Sequence, residues 1–150
     1  MPQSLANVLV HLIYSTKNRH PWLTLEVRPA LFAYQTGAFR ELDSPAVVIG
    51  GERDHVHALF VLSRTRALSD VIEGVKRSSS KWLKTQGRAL SDFQWQRGYG
   101  AFSVAQSQVR RVRQYIESQE EHHKTVSFQD EFRAFLQRYR VEYDEQYVWD

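Results

Sequence analysis

The chain has no cysteine, which excludes disulfides, thiolate zinc sites and thiol catalysis. It also lacks any run approaching the roughly 18 apolar residues that a membrane span needs, so no membrane partner is expected. No basic stretch leading into an apolar run follows Met1-Pro2-Gln3-Ser4, and a soluble, cytoplasmic protein is the expectation. Internal repeats, low-complexity tracts and linkers are absent too. The 150 residues therefore read as one domain, 1–150, large enough to bury its own core. Acidic residues are scarce in the first part: residues 1–116 hold 16 Lys/Arg against 8 Asp/Glu, whereas residues 117–150 hold 4 against 9. A basic body followed by an acidic end suits a polyanionic partner.

Hydrophobic periodicity orders the chain. Residues 6–15 form an apolar, β-branched run that reads as a buried strand, and 25–42 has helical spacing with Thr24 as its N-cap. Residues 45–50 form a second strand, Gly50-Gly51 a turn, and 55–62 a third strand antiparallel to the second. A helix over 68–85, an aromatic loop over 93–100 and a fourth strand over 101–105 follow. One helix is predicted over 107–122, and a last one over 128–139 with Ser127 as N-cap. The order β-α-β-β-α-β predicts an α+β fold of the ferredoxin-like or RRM-like split βαβ kind. It has a four- to five-stranded antiparallel sheet with helices on one face, plus a C-terminal helix.

His55-Val56-His57 stands on the third strand, where alternation aims both imidazoles to one face and Val56 to the other. Two imidazoles on one face supply two metal ligands, and Asp54 can hold a ring N–H. Two surface histidines on a half-buried sheet would give the same pattern. Tyr115 and Gln119 lie four apart on a helical stretch, bordering the apolar stripe of Val109, Val112 and Ile116. A cation held by His55, His57 and the Gln119 carbonyl keeps its full charge, because all three ligands are neutral. Such a cation can favour a phenolate and polarise a phosphate. Mg²⁺ or Mn²⁺ fits that donor set, with His122 a spare ligand or acid/base group.

Asp54-His55-Val56-His57, residues 76–83 (KRSSSKWL), residues 95–104 (WQRGYGAFSV) and residues 115–119 (YIESQ) occur in an order that resembles a known family. This is the insertion-sequence-200/605-type single-tyrosine transposases with their His-hydrophobic-His (HUH) motif. The resemblance covers nearly the whole chain. It implies an enzyme that excises and inserts single-stranded DNA after recognising hairpins at element ends. Tyr115 is then the nucleophile that forms a 5′-phosphotyrosine and frees a 3′-hydroxyl, and His55, His57 and Gln119 are the metal ligands. It also implies a homodimer whose tyrosine helix can complete the partner's site. Domesticated relatives associated with repetitive extragenic palindromes share this chemistry.

Lys76, Arg77, Lys81 and Lys84, with Arg110, Arg111 and Arg113, are candidate phosphate contacts, and Trp95 and Tyr99 can stack unpaired bases. A solvated helix face and a packed loop are the alternatives. Two rival functions stay open on residues alone. One is a non-catalytic single-strand nucleic-acid-binding module; the other is a phosphoesterase that uses water instead of tyrosine.

Overall fold

The computed structural model describes residues 2–150. Four strands, β1 (Val8–Ser15), β2 (Ala46–Glu52), β3 (His55–Leu62) and β4 (Gly100–Val104), form one antiparallel sheet in the order β2-β3-β1-β4. This is the split βαβ arrangement. β1 is buried on both faces along almost its whole length, which is why its sequence is a near-continuous apolar run.

Helices α1 (Arg28–Glu41) and α2 (Leu68–Leu83) cover one face of the sheet. There Val10, Leu12 and Tyr14 of β1 pack with Val56, Ala58 and Phe60 of β3, against Leu31, Phe39, Val71, Ile72 and Val75. Each fully buried valine, leucine, isoleucine or phenylalanine among them contributes about 1.5–3 kcal/mol through loss of apolar contact with water. The Tyr14 hydroxyl, sealed inside, accepts a 2.6 Å hydrogen bond from Gln35 Nε2. The other face is covered by α3 (Val109–Glu117), α4 (Gln119–His122) and α5 (Phe128–Arg138). Leu9, His11, Ile13, His55, His57 and Leu59 point that way. This is the functional face, and it is enclosed by helices.

Three local expectations change. Thr24 does not cap α1; it makes a turn in which its hydroxyl accepts from Val27 N at 3.4 Å, and the helix starts at Arg28. Gly50-Gly51 is not a turn but lies within β2, and the reversal falls at Arg53-Asp54. A side chain at Gly50 would collide with the Ile116 carbonyl oxygen, and one at Gly51 with the His55 carbonyl oxygen. The glycines are there for close approach. The helix expected over 107–122 breaks at Ser118 into α3 and α4. Ser127 does cap α5, accepting from Asp130 N at 3.2 Å.

Candidate metal centre and tyrosine site

Both histidines of β3 are fully buried, so they are not surface residues of a half-buried sheet. The Nδ1–H of His55 donates to Asp54 Oδ1 at 2.8 Å, which leaves Nε2 with its lone pair facing inward. Around that nitrogen stand Gln119 Oε1 at 3.0 Å and Glu131 Oε1 at 3.6 Å, both acceptors. His123 repeats the pattern. Its Nδ1–H donates to the Val126 carbonyl at 2.6 Å, and its Nε2 faces Gln119 Oε1 at 2.9 Å and Glu131 Oε1 at 3.2 Å. Imidazole nitrogens, an amide oxygen and a carboxylate oxygen converge here, each a group that can give a lone pair to a cation. That is the donor set of a cation site. The ligand atoms of His55, His57, His123 and Glu131 all lie within 4.8 Å of one another.

Gln119, 1% exposed, points its carbonyl oxygen into this cluster. Tyr115 borders it: the phenol donates to Glu131 Oε2 and stands 3.4 Å from His122 Nε2. Tyr115 of α3 and Gln119 of α4 thus lie beside His55 and His57 of β3. His122 lies beside the phenol, whereas its neighbour His123 lies among the ligands.

The electrostatics follow from burial and one carboxylate. Burial alone would raise the Glu131 carboxyl, but His57, His123 and His55 around it hold it well below the usual carboxylate range. Burial, then the charge and hydrogen bond of Glu131, push the Tyr115 phenol far above its ordinary value. For His123 burial is unfavourable to the charged form, and the Glu131 hydrogen bond and charge more than reverse it, so its pKa rises. His57, wholly buried, is lowered by desolvation despite Glu131.

His123 and Glu131 were not anticipated from sequence. The break at Ser118 hid His123, because it moves the residues after it off the wheel defined by Val109 and Ile116. Glu131 did leave a signal: it interrupts the stripe Phe128, Phe132, Phe135 of α5 at helical spacing. A carboxylate on a buried face requires partners.

Among the expected DNA contacts, Lys76 and Trp95 sit elsewhere than anticipated. Lys76 is 9% exposed and its ammonium donates to the carbonyls of Gln96, Arg97 and Gly98 at 2.8, 3.3 and 2.8 Å, which leaves no donor for a phosphate. Trp95 belongs to the core between Tyr14 and Phe93, its indole N–H bonded to Ser79 Oγ at 3.1 Å, so its faces are not open to a base. Tyr99 is exposed. Lys81, Lys84, Arg110 and Arg111 are exposed, Arg77 pairs with Glu73 one helical turn before it, and Arg113 pairs with Glu117 one turn after. Between β4, α3 and α5 a cavity of about 870 Å³ opens beside the phenol, lined by His11, Arg111, Tyr115, Glu131, Phe135 and Arg138.

Fold and site together define a class: a ferredoxin-like domain with a cation-type cluster on its sheet and a tyrosine at the edge of that cluster. The family is more particular. The model described as "Transposase IS200 like" matches residues 4–119, and the chain belongs to that family. Two solved structures share the fold. One, from Deinococcus radiodurans R1 and assigned as a transposase, has a TM-score of 0.62 at 22% identity, over 79% of this chain and 98% of that one. The other is a REP-associated tyrosine transposase bound to a REP hairpin, with a TM-score of 0.62 at 13% identity, over 84% of this chain and 74% of that one. A comparison with curated proteins finds no match. Among the described residues no helix is long and apolar enough to cross a membrane.

Proposed function

We propose that this transposase cuts and rejoins single-stranded DNA at insertion-sequence ends after binding a hairpin, with Tyr115 as nucleophile. The observation that carries the reading is the meeting of Tyr115 with convergent potential ligand atoms of His55, His57, Gln119, His123 and Glu131. These residues fit a divalent cation such as Mg²⁺ or Mn²⁺, which when bound supplies positive charge to a phosphate and to a developing phenolate. His55, His57 and Gln119 would hold it, with the Glu131 carboxylate and His123 completing the donors. The 870 Å³ cavity gives a single strand a route to the phenol, with Arg111 and Arg138 at its wall.

In the first step the Tyr115 oxygen bonds to phosphorus and the bond from phosphorus to the 3′ oxygen breaks. The phenol proton has Glu131 as its nearest carboxylate acceptor and ends on the 3′ hydroxyl that leaves. The 5′ side stays on the enzyme as a phosphotyrosine. In the reverse sense, a 3′ hydroxyl attacks such a linkage and rejoins the strand, so no nucleotide hydrolysis is needed. Joining two ends needs two phosphotyrosines, and a homodimer would supply them. The REP-associated relative was solved on a REP hairpin, which supports a hairpin as the recognised element here.

The test incubates the protein with Mn²⁺ or Mg²⁺ and a labelled hairpin-bearing single strand, then separates products under denaturing conditions. A protein-linked label is expected for the wild type and none for Tyr115→Phe. His57→Ala should lose the adduct while hairpin binding is retained. An adduct persisting in Tyr115→Phe would remove Tyr115 from the mechanism, and hydrolysed ends without adduct would favour the phosphoesterase.

A further inference from the structure

His11 lies on β1, opposite Leu59 of β3 and Phe102 of β4, and is 2% exposed. Its Nε2 is 2.8 Å from Nδ1 of His57. The two rings stand 5.1 Å apart, and Phe135 closes edge-on against His11 at 5.1 Å. The other nitrogen of His57, Nε2, is 2.9 Å from Glu131 Oε1 and belongs to the ligand set.

A neutral imidazole carries one N–H, and which nitrogen bears it is set by the partner of the other. Glu131 is an acceptor, so without a cation the His57 proton sits on Nε2 and donates to it. His57 Nδ1 is then an acceptor, and His11 must donate through its own Nε2–H. With Nε2 given to a cation, His57 must carry its proton on Nδ1. Among the described residues the partner of that N–H is His11 Nε2, which must now accept, with the His11 proton on its Nδ1. Both rings keep one proton each and the 2.8 Å contact persists with its direction reversed.

We propose that His11 is a positioning residue that sets the tautomer of His57 and so its readiness to bind the cation. In this role it acts through His57 and not as a ligand of the cation. A side chain unable to accept would leave a buried N–H without a partner whenever His57 is in its ligand form. Partners of this second kind typically change metal affinity by about 10–100-fold. Glutamine can donate through its amide nitrogen or accept through its oxygen, so His11→Gln preserves both directions, whereas His11→Leu preserves neither.

The proposal rests on His57 being a ligand, and the experiment separates the two. Mn²⁺ affinity is measured on wild type, His57→Ala, His11→Leu and His11→Gln, each without DNA. Expected are a large loss in His57→Ala, a loss of roughly 10–100-fold in His11→Leu, and recovery to within a few-fold in His11→Gln. Equal affinity of His57→Ala and wild type would overturn the metal assignment itself. Wild-type affinity in His11→Leu, with His57→Ala impaired, would overturn only the role of His11. A second measurement needs no variant. Ring-nitrogen NMR of ¹⁵N-histidine protein, with and without the diamagnetic ion Zn²⁺, should show the His57 and His11 protons both moving from Nε2 to Nδ1. Finding the Nδ1–H form of His57 already in the ion-free protein would sink the idea.

Discussion

Lys76 shows how a basic residue on an amphipathic helix can be structural. Its three carbonyl contacts fasten the 96–98 loop to α2, and the ring of Tyr14 lies 5.1 Å from its ammonium. Burial lowers that ammonium from its ordinary 10.5 to about 8. Between those values the unfolded chain binds the proton more tightly than the folded one, so stability rises with pH across that window. The contribution is fully present above 10.5 and is lost as pH falls through about 8. Denaturant unfolding of wild type and Lys76→Met at pH 7 and pH 10.5 checks this, because other titrations cancel in the difference. The wild type should gain on the variant by up to about 3 kcal/mol at the higher pH; a difference independent of pH would refute it. The same contrast explains what single residues disclose in sequence. His55 and His57 were legible because strand alternation fixes both at once. Lys76 and Trp95 were not, since a cation or an indole at a given helical or loop position reads alike whether it meets DNA or the protein's own carbonyls and rings.

At the scale of elements, the site depends on how closely α3 approaches β2. The Ile116 carbonyl oxygen of α3 occupies the space that a side chain at Gly50 would need. Gly50→Ala must therefore push α3 outward, and Tyr115 and Gln119, on either side of Ile116, move with it. A loss of about 1–3 kcal/mol from overpacking is expected, together with a reduced yield of the protein–DNA adduct. Gly37→Ala on α1 is the control. Nothing lies within 4 Å of a side chain there, and it should be neutral or stabilising by roughly 0.5–1 kcal/mol. Adduct yield unchanged in Gly50→Ala would mean that the α3–β2 spacing does not set the site. The strands and the two βαβ helices were readable from periodicity, which long buried segments impose strongly. The joint at Ser118 was not. The Ser118 hydroxyl donates to the Tyr115 carbonyl at 3.1 Å, a local bond that competes with helix continuation and bends the chain. Serine does this in some helices and not in others, and tertiary packing of Gln119 and His123 over His55 decides it here.

For the molecule as a whole, the division between a basic body and an acidic end becomes an arrangement in space. The acidic end folds back on the protein. Glu145 takes a two-point contact from Arg133 at 2.6 and 3.2 Å, and the Asp150 carbonyl accepts from Gly98 N at 2.9 Å. Its negative charge is thus partly engaged, and the free cations face outward elsewhere. Among the described residues Arg110 and Arg111 have no carboxylate partner, while Arg77 and Arg113 do and Lys76 is buried. If the polyanion is single-stranded DNA, these classes must separate in salt. Each phosphate contact releases a counterion and adds about 0.7 to the slope of log affinity against log salt for a single strand. Hairpin binding by fluorescence anisotropy between roughly 50 and 200 mM salt measures that slope. Replacing Arg110 and Arg111 together should flatten it by about 1.4. Replacing Arg77 and Arg113 should change it less, because Glu73 and Glu117 already screen them, and Lys76→Met should leave it unaltered. Equal effects from the paired and unpaired arginines would show that the DNA rearranges those ion pairs on binding. No effect from Arg110 and Arg111 would place the DNA on another face, with Lys81 of α2 and Lys84 just after its end as the remaining unpaired cations of the expected set among the described residues.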